Sequence, residues 1–367
     1  MSISLDQFVR DRNPDVPLEI IFPDRLTLNA QDIVGQFGGR VLYAVKCNPQ
    51  VPVLQAIWNG GVRHFDVASF AEIALVRDLF PEAGIHFMHP VKSRQDISRA
   101  VREFGVSTFA VDSASELDKV LEVTDGQCPL DVFVRLALPK GQAGRDLSGK
   151  FGIDAEEVAT LLNAARPHVR RLGLTFHVGS QCLDPQAYVD AMTLAYSVER
   201  ASGISLDVLD VGGGFPSAYE DCIPPAFSVF ANAIAQVSNG TELWCEPGRV
   251  LAAPGIVLIA QVLSRKGESL FLNDGLYGGL SPEPVAGYHY AVTLITADGR
   301  KHSEQKQPFV LFGPTCDSHD RLPTPYRLPQ NIAEGDWIAL DNAGAYAGAL
   351  RSRFNGMGAA ERFTWEG

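Results

Sequence analysis

The chain has 367 residues, and 46% of them are apolar. That length is enough for two packed cores, because single cores stop growing at roughly 250 to 300 residues. The 31 basic and 43 acidic residues give a formal net charge of −12, and the basic residues are scattered without runs. This charge pattern argues against nucleic-acid and anionic-membrane partners and favours a small-molecule ligand.

Residues 1–15 are polar and acidic and contain no apolar stretch long enough for a signal peptide. No segment approaches the roughly 20 consecutive apolar residues of a membrane helix. The six cysteines include no C-x-x-C pair, and a chain of this size does not need disulfide bonds for stability. We therefore expect reduced thiols and a cytoplasmic location.

Between residues 40 and 249, short β-rich runs alternate with amphipathic helical patterns, and a further helical pattern, TLNAQDIVGQF (27–37), precedes the first run. Eight parallel strands with intervening helices close into a (β/α)8 barrel, which we place at residues 26–252. The predicted strands are VLYAVKC (41–47), HFDVAS (64–69), GIHFMHP (84–90), TFAVDS (108–113), DVFVRLAL (131–138), LTFHVGS (174–180), LDVLDVGGG (206–214) and TELWCEPGR (241–249).

Two regions flank the predicted barrel. The run LEIIF (18–22) is surplus to the eight strands, and we interpret it as part of an N-terminal lead-in, residues 1–25. After residue 255 the pattern changes to period-2 strands with turn signals, which predicts an all-β, sandwich-like domain at residues 253–367. Its predicted strands are GIVLIAQVL (255–263), LFLND (270–274), YHYAVTLI (288–295), PFVLF (308–312), DWIALD (336–341) and RFTWE (362–366).

The carboxyl ends of barrel strands are where functional groups of such folds lie. Here those ends are unusually polar, because they carry Lys46, Asp66, Ser69, His177, Ser180, the triplet Gly212 to Gly214, Glu246 and Arg249.

Lys46 follows the apolar run YAV, which would aim its side chain into the barrel mouth. Desolvation and neighbouring cations there would lower the pKa of the amine towards the range in which it forms imines as a nucleophile. Taken alone, however, a lysine at a strand end more often extends to water.

The last two strand ends suggest an anion site. Gly212 to Gly214 can present consecutive backbone N–H groups, Arg249 supplies a planar fork of donors, and the loops after strands seven and eight are the usual phosphate site of a barrel. A tight turn before Phe215 would explain the glycines alone equally well. The combination with Arg249 favours phosphate.

Two further strand-end residues suit a cofactor ring. Glu246 would lie near the same phosphate, where it could bond a protonated pyridine nitrogen, although such a residue often pairs with a structural arginine. His177 is flat and could lie against the ring, or it is simply a hydrogen-bonded polar residue.

In the second domain, GPTCDSHD (313–320) places a thiol and a carboxylate side by side. Cys316 could donate a proton and Asp317 could bind a substrate ammonium, although a buried thiol beside a turn aspartate is the commoner arrangement. Cys316 with His319, and His86 with His89, are isolated pairs without two further ligands at metal-site spacing, so we expect no metal.

Seven motifs occur in one order along the whole chain: YAVKCN (43–48), FDVAS (65–69), HVGSQ (177–181), DVGGGFP (210–216), EPGR (246–249), GPTCDS (313–318) and DNAGAY (341–346). Together they resemble the motifs of the fold-type III pyridoxal-phosphate decarboxylases of ornithine and lysine. The resemblance implies pyridoxal 5′-phosphate as the cofactor and an alanine-racemase-like barrel joined to a β-sandwich. It also implies a head-to-tail homodimer with active sites shared between subunits.

Carried over by position, the resemblance implies that Lys46 forms a Schiff base with the cofactor, that Asp66 helps to hold it, and that His177 stacks on its ring. Glu246 would pair with the ring nitrogen. The remaining cofactor-binding residues, most of them at the phosphate, would be Ser180, Gly212, Gly213, Gly214, Gly248, Arg249 and Tyr346.

Cys316 and Asp317 would reach in from the partner subunit, the thiol as the proton donor to Cα and the carboxylate as the ligand of a distal amine. The implied reaction converts a basic diamino acid to a diamine and CO2, as in polyamine biosynthesis, with L-ornithine first, L-lysine second and a shorter diamino acid third. The related racemases present an arginine to the ring nitrogen, and the diaminopimelate branch carries C-E-S. Glu246 and Asp317 argue against both.

The sequence departs from the family pattern in two segments. Where the family places an acidic residue that also touches the distal amine, this chain reads SPEPVAGYHY (281–290), so that Glu283 would serve or His289 would take the place. A histidine there would favour a specialised substrate. GAYAGALRS (344–352) also replaces the hydroxyl-rich stretch usual after the tyrosine.

Two other classes of function compete. A non-catalytic decarboxylase homologue would not need Lys46, Cys316 and Asp317, which are all retained. A phosphate-binding barrel enzyme without pyridoxal phosphate would leave YAVK and the C-terminal motifs unexplained.

Overall fold

The computed structural model describes residues 3–139, 149–282 and 287–366. At the N-terminus, helix α1 (Leu5–Arg12) is followed by strand β1 (Leu18–Ile21). None of the described helices is long and apolar enough to cross a membrane.

Eight parallel strands then close into a barrel in which each strand pairs with the next and the last pairs with the first. They are buried at nearly every position, as expected of parallel strands covered on both faces. They are β2 (Arg40–Ala44), β3 (His64–Val67), β4 (Gly84–Phe87), β5 (Thr108–Val111), β6 (Asp131–Arg135), β7 (Arg171–Thr175), β8 (Val208–Asp210) and β9 (Glu242–Cys245). All eight overlap the predicted runs, although β7 begins at Arg171 and shares only residues 174 and 175 with its run.

The helices around the barrel begin at clear sequence signals. Ser69, Ser93 and Ser113 cap three of them, each accepting a hydrogen bond from the backbone N–H three residues later. The helices are α2 (Pro23–Gln36), α3 (Val51–Asn59), α4 (Phe70–Leu79), α5 (Arg94–Phe104), α6 (Ala114–Thr124), α7 (Ala155–Ala165), α8 (Gln186–Ser202), α9 (Phe227–Val237) and the short α10 (Arg249–Ala252).

The barrel is filled rather than hollow. A buried cluster that includes Leu42, Phe133 and Trp244 is separate from the core between the strands and the surrounding helices. Side chains of this kind pack the interior of such barrels, so that functional groups are confined to the strand ends.

The second domain is a mixed β-sheet, and it confirms the predicted all-β region. Its strands follow the order β12, β15, β10, β11, β13, β14, and β10 also pairs with β1. They are β10 (Ile256–Lys266), β11 (Ser269–Leu272), β12 (Val292–Ile295), β13 (Lys306–Phe312), β14 (Tyr326–Pro329), β15 (Trp337–Leu340) and β16 (Glu361–Thr364).

Strand β1 belongs to this second sheet, whereas the sequence suggested a lead-in. It pairs antiparallel with β10 and parallel with β16, and all four of its residues are buried. Leu18 and Ile20 pack in one cluster with Val257 and Ile259 of β10. The apolar run is therefore explained by a partner strand that lies more than 200 residues further along the chain.

Candidate active site

The mouth of the barrel contains a cavity of about 220 Å³, and most of the predicted site residues line it. These are Lys46, Asp66, His177, Ser180, Gly213, Gly214, Glu246, Gly248, Arg249 and Tyr346. Gly212 is not part of the cavity lining. A Cβ atom at this position would be 2.0 Å from the carbonyl oxygen of Phe176. Ser69 caps α4.

Lys46 lies in a short 3₁₀ turn, Val45–Cys47, directly after β2 rather than in the strand itself. Its Nζ donates to Asp66 Oδ2 at 2.7 Å, and Asp66 is buried at the end of β3. Enclosure lowers the pKa of Lys46, but the carboxylates of Asp66 and Glu246 outweigh that effect and raise it above the ordinary lysine value. The predicted lowering of this pKa is therefore wrong for the chain alone, since carboxylates rather than cations surround the amine.

Glu246 follows β9 and is almost fully buried. Burial, together with the nearby charges of Asp210 and Asp66, raises its pKa well above the usual range of a glutamate. Its side chain hydrogen-bonds to that of Asp210, which requires a proton between the two carboxyls, and no other donor of the described residues reaches its Oε1. A donor from a bound group would therefore stabilise the ionised carboxylate.

His177 follows β7 and presents a neutral ring to the cavity. Its Nδ1 accepts a hydrogen bond from the backbone N–H of Gly179 at 3.0 Å, which leaves the proton on Nε2. Burial and the positive charges of Arg135 and Lys46 lower its pKa to about 3. The ring therefore stays uncharged at neutral pH.

Gly214 and Arg249, which also line the cavity, suit an anionic ligand. Gly214 has φ +105°, and a Cβ atom there would be 2.4 Å from the carbonyl oxygen of Gly179, so only glycine fits this position. Arg249, at the start of α10, is 7% exposed and donates from Nη2 to Ser180 Oγ at 3.3 Å. Its Nε has no hydrogen-bond partner among the described residues. Tyr346, with φ +68°, donates its backbone N–H to Cys47 O at 2.8 Å.

Cys316 and Asp317 do not line this cavity. They lie in the loop between β13 and β14, where Cys316 is exposed. Asp317 accepts hydrogen bonds from the backbone N–H and Nδ1 of His319, at 2.9 and 3.0 Å, and from the Tyr277 hydroxyl. These donors lower the pKa of Asp317 to about 2, so the carboxylate is charged at neutral pH.

Comparisons with known proteins agree with this geometry. Residues 25–253 match the family described as pyridoxal-dependent decarboxylase, pyridoxal binding domain. The lysine/ornithine decarboxylase of Selenomonas ruminantium is 31% identical over 339 residues, which cover 89% of this chain and 83% of that protein. The chain belongs to the pyridoxal-dependent decarboxylases.

Solved structures show the same relationship across both domains. The lysine/ornithine decarboxylase of Vibrio vulnificus, in complex with cadaverine, matches with a TM-score of 0.84 and 28% identity over 100% of both chains. The arginine decarboxylase of Paramecium bursaria Chlorella virus, bound to agmatine, matches with a TM-score of 0.86 and 27% identity over 98% of this chain and 99% of that one. The chain is thus a fold-type III amino-acid decarboxylase, and its cofactor is pyridoxal phosphate.

The residues of this decarboxylase fit that cofactor. The Nε of Arg249, which has no hydrogen-bond partner among the described residues, and the backbone of Gly213 and Gly214 in the cavity lining suit a phosphate. The buried carboxyl of Glu246 suits a protonated ring nitrogen. Lys46 lies in the same cavity, as a lysine that binds an aldehyde must.

The residues that line the mouth of the decarboxylase without having been predicted include His89, Arg135, Lys150 and Phe151. Arg135 is the last residue of β6, so inspection of every strand end would have found it. His89 follows β4 and stacks edge-on with Phe151, at 5.1 Å between ring centroids. Lys150 and Phe151 lie beyond the predicted strand, and sequence pattern gave no signal for them.

Glu283 and His289 were the two candidates for the residue that contacts a distal amine. Glu283 lies outside the described residues. His289 donates its backbone N–H to Asp221 Oδ1 at 2.9 Å, and its Nδ1 lies 2.6 Å from Asp221 Oδ2. That pairing engages the imidazole with a carboxylate of the same chain and argues against a role in binding a distal amine.

The histidines of the two candidate metal pairs, Cys316 with His319 and His86 with His89, either contact other side chains or line the cavity. His86 lies in β4 with its Nε2 3.1 Å from His64 Nδ1, whereas His89 lines the mouth. His319 bonds Asp317. In the part of the chain that the structure describes, no group of three or more potential metal ligands occurs.

Proposed function

We propose that this decarboxylase converts L-ornithine or L-lysine to the corresponding diamine and CO2, in active sites shared between the two subunits of a homodimer. The observation that carries the proposal is the separation of two half-sites within one chain. Lys46 and the cofactor-binding groups line the barrel mouth, and Cys316 with the charged Asp317 lies outside it, on the second domain. Two chains arranged head to tail would complete each site.

Each residue of the barrel mouth has a distinct task. When bound, pyridoxal phosphate supplies an electron sink for the electron pair left on Cα after CO2 departs. Lys46 holds the cofactor until the substrate amine takes its place, and Asp66 keeps the lysine Nζ in position. Glu246 stabilises positive charge at the ring nitrogen, and the neutral His177 presents its flat ring to the cofactor.

The loop of the second domain supplies the groups that act on the substrate. Asp317, ionised well below neutral pH, would bind the distal ammonium of a diamino acid. Cys316, exposed on the same loop, would return a proton to Cα after CO2 has left. Because both act from the partner subunit, a lone chain would bind the cofactor but decarboxylate poorly.

The names of the relatives support a basic amino acid as the substrate. The Selenomonas and Vibrio proteins are named for lysine and ornithine, and the viral protein is named for arginine. All three amino acids carry a distal cation, which a single carboxylate such as Asp317 can bind. A specialised substrate is the second candidate, because the segment that contains Glu283 departs from the family pattern.

The direct test measures amine product and CO2 from purified, cofactor-loaded protein with L-ornithine, L-lysine, 2,4-diaminobutyrate, L-arginine and meso-diaminopimelate, together with the D-isomers. Equal amounts of CO2 and putrescine or cadaverine, with highest kcat/KM for ornithine or lysine, would support the proposal. Turnover of none of these by a protein that carries the cofactor would refute the substrate assignment and leave the cofactor assignment intact.

We also propose a cytoplasmic location and a role in polyamine formation. All six cysteines are free, as is usual in a reducing compartment. The diamines expected as products are the simplest polyamines.

A further inference from the structure

Two stacked tyrosines lie behind Arg249, on the side away from the cavity wall. Tyr219 comes from the loop after β8, and Tyr288 comes from the second domain, ahead of β12. Their rings are parallel within 7°, with centroids 3.5 Å apart, and they are 4% and 2% exposed. Sequence analysis assigned neither residue a role.

Both phenol oxygens accept hydrogen bonds from the same nitrogen of Arg249. Nη1 lies 2.9 Å from Tyr219 Oη and 3.0 Å from Tyr288 Oη. Since Nη1 carries two hydrogens, these two bonds use its full donor capacity. The guanidinium is planar and rigid, so fixing one nitrogen by two bonds fixes the orientation of the whole group.

The nitrogens that remain are those that bind an oxyanion side by side. Nε and Nη2 of an arginine form the edge that carries two parallel N–H groups, the geometry of a two-point contact with carboxylate or phosphate. In this structure Nε has no hydrogen-bond partner among the described residues, and Nη2 makes a 3.3 Å contact with Ser180 Oγ. The tyrosine pair thus occupies Nη1 and leaves Nε and the second hydrogen of Nη2 available for a two-point contact with an anion.

The pair is itself held by contacts across the domain junction. Glu220 N–H donates to His289 O at 3.0 Å, and the His289 backbone and ring both bond Asp221. These contacts join the residues that follow each tyrosine. On the barrel side, Ser217 Oγ donates to Arg249 O at 3.1 Å, which fixes the arginine backbone relative to the same loop.

We propose that Tyr219 and Tyr288 are positioning residues that orient Arg249 for the cofactor phosphate, so that Tyr288 of the second domain contributes to cofactor affinity without touching the cofactor. Neither tyrosine lines the cavity, which separates this role from direct binding. Loss of the two hydroxyls would let the guanidinium rotate and would weaken its contact with the phosphate.

The test compares two ligands that differ by the phosphate alone. Dissociation constants for pyridoxal phosphate and for pyridoxal are measured by absorbance titration of the cofactor-free protein, for wild type and for Tyr219→Phe, Tyr288→Phe and the double variant. We expect the double variant to bind pyridoxal phosphate about tenfold more weakly, the scale of a lost hydrogen bond to a charged group, with pyridoxal unchanged. Each single variant should show a smaller loss of the same kind.

Tyr290→Phe is the matched control. Tyr290 is 1% exposed, packs edge-on against both tyrosines and shares a side-chain hydrogen bond with Tyr288, but Arg249 donates to Tyr219 and Tyr288 rather than to it. This variant should keep the wild-type affinity for pyridoxal phosphate. Melting temperatures of the cofactor-free proteins report on folding, and the single variants carry the test if the double variant does not fold.

Two results would overturn the proposal. One is a double variant that folds and binds pyridoxal phosphate within twofold of wild type. The other is an equal loss of affinity for pyridoxal and pyridoxal phosphate, since that would show a general distortion of the mouth rather than a loss at the phosphate.

Discussion

The position of Lys46 depends on the residues next to it in the sequence, whereas its pKa depends on residues far from it in the sequence. The apolar run before it predicted a strand and a side chain directed into the barrel mouth, and the structure has both. Its pKa depends on Asp66 and Glu246, which the fold brings from two other strands. A neighbouring carboxylate holds the amine as an ammonium, so the amine must lose that proton, to Asp66 or to solvent, before it can attack the cofactor aldehyde.

Replacement of Lys46 by alanine tests its role as the cofactor lysine. Lys46→Ala should lose the visible absorption band of the lysine-bound cofactor, and kcat should fall roughly a thousandfold or more because the covalent attachment is gone. The measurement is the absorption spectrum after dialysis, together with kcat. Lys150→Ala removes another amine that lines the same cavity and should keep the band. An unchanged spectrum for Lys46→Ala would exclude it as the attachment site.

Among the elements, β3 and β4 carry a histidine pair at the barrel end opposite the mouth. His64 begins β3, and its Nδ1 lies 3.1 Å from His86 Nε2 in β4. Burial, followed by the charge of Arg40, lowers the pKa of His64 to about 4, and burial also lowers the pKa of His86. The fold therefore disfavours protonation of both rings.

This pair predicts a loss of stability in mild acid. Because the pKa of His64 is lower in the folded than in the unfolded state, the unfolded state binds more protons below about pH 6.5. Stability present above that pH is lost as the pH falls towards 4. Between pH 7.5 and pH 5 we expect wild type to lose about 2 kcal/mol more unfolding free energy than His64→Gln.

Urea unfolding at the two pH values makes this comparison. His168→Gln is the control, since His168 is exposed and should behave as wild type. Equal losses for wild type and His64→Gln would show that His64 does not resist protonation.

Most elements could be predicted from the sequence because their signals are local. Each barrel strand is a short apolar run bounded by turn residues, and serines mark the starts of three helices. The pairing of β1 with β10 could not be predicted, because a short apolar run does not indicate which other strand it will pair with. Strand β14 was missed since it has four residues and ends in Pro329, which weakens the pattern.

At the scale of the whole molecule, a buried ion network joins the two domains. Arg351 bonds Asp274 at 2.8 Å and lies 3.6 Å from Glu19, and the Arg351 side chain is 7% exposed. Gln50, next to the turn that carries Lys46, donates to Glu19 at 2.8 Å. The stretch GAYAGALRS, which departs from the family pattern, supplies Arg351 of this network.

Removal of the arginine should destabilise the fold. Arg351→Met would leave the buried Asp274 without its cation, whereas Glu19 would keep Arg362 at 3.1 Å. Breaking a buried pair costs about 3 kcal/mol or more. Chemical denaturation of the cofactor-free protein measures the change. Arg353→Met, two residues away and exposed, should change the stability by roughly 0.5 kcal/mol or less. Equal effects of both substitutions would contradict the importance of the buried network.

The sequence flagged that stretch as unusual but could not show its effect, because Glu19 and Asp274 lie far away in the chain. The same limit applies to the Tyr219 and Tyr288 pair, which meets Arg249 from two domains. The residues of the half-sites could be predicted, since they lie in short motifs, six around the barrel mouth and one, GPTCDS, on the second domain.

The most direct test of a site shared between two chains is recovery of activity in mixed dimers. Lys46→Ala and Cys316→Ala are each prepared as nearly inactive proteins, mixed in equal amounts and allowed to exchange subunits, and CO2 release from L-ornithine and L-lysine is measured. In a mixed dimer one of the two sites contains neither substitution, so random exchange in a two-fold symmetric dimer predicts recovery to about a quarter of wild-type activity. No recovery after exchange has been confirmed with differently tagged subunits would contradict the shared site.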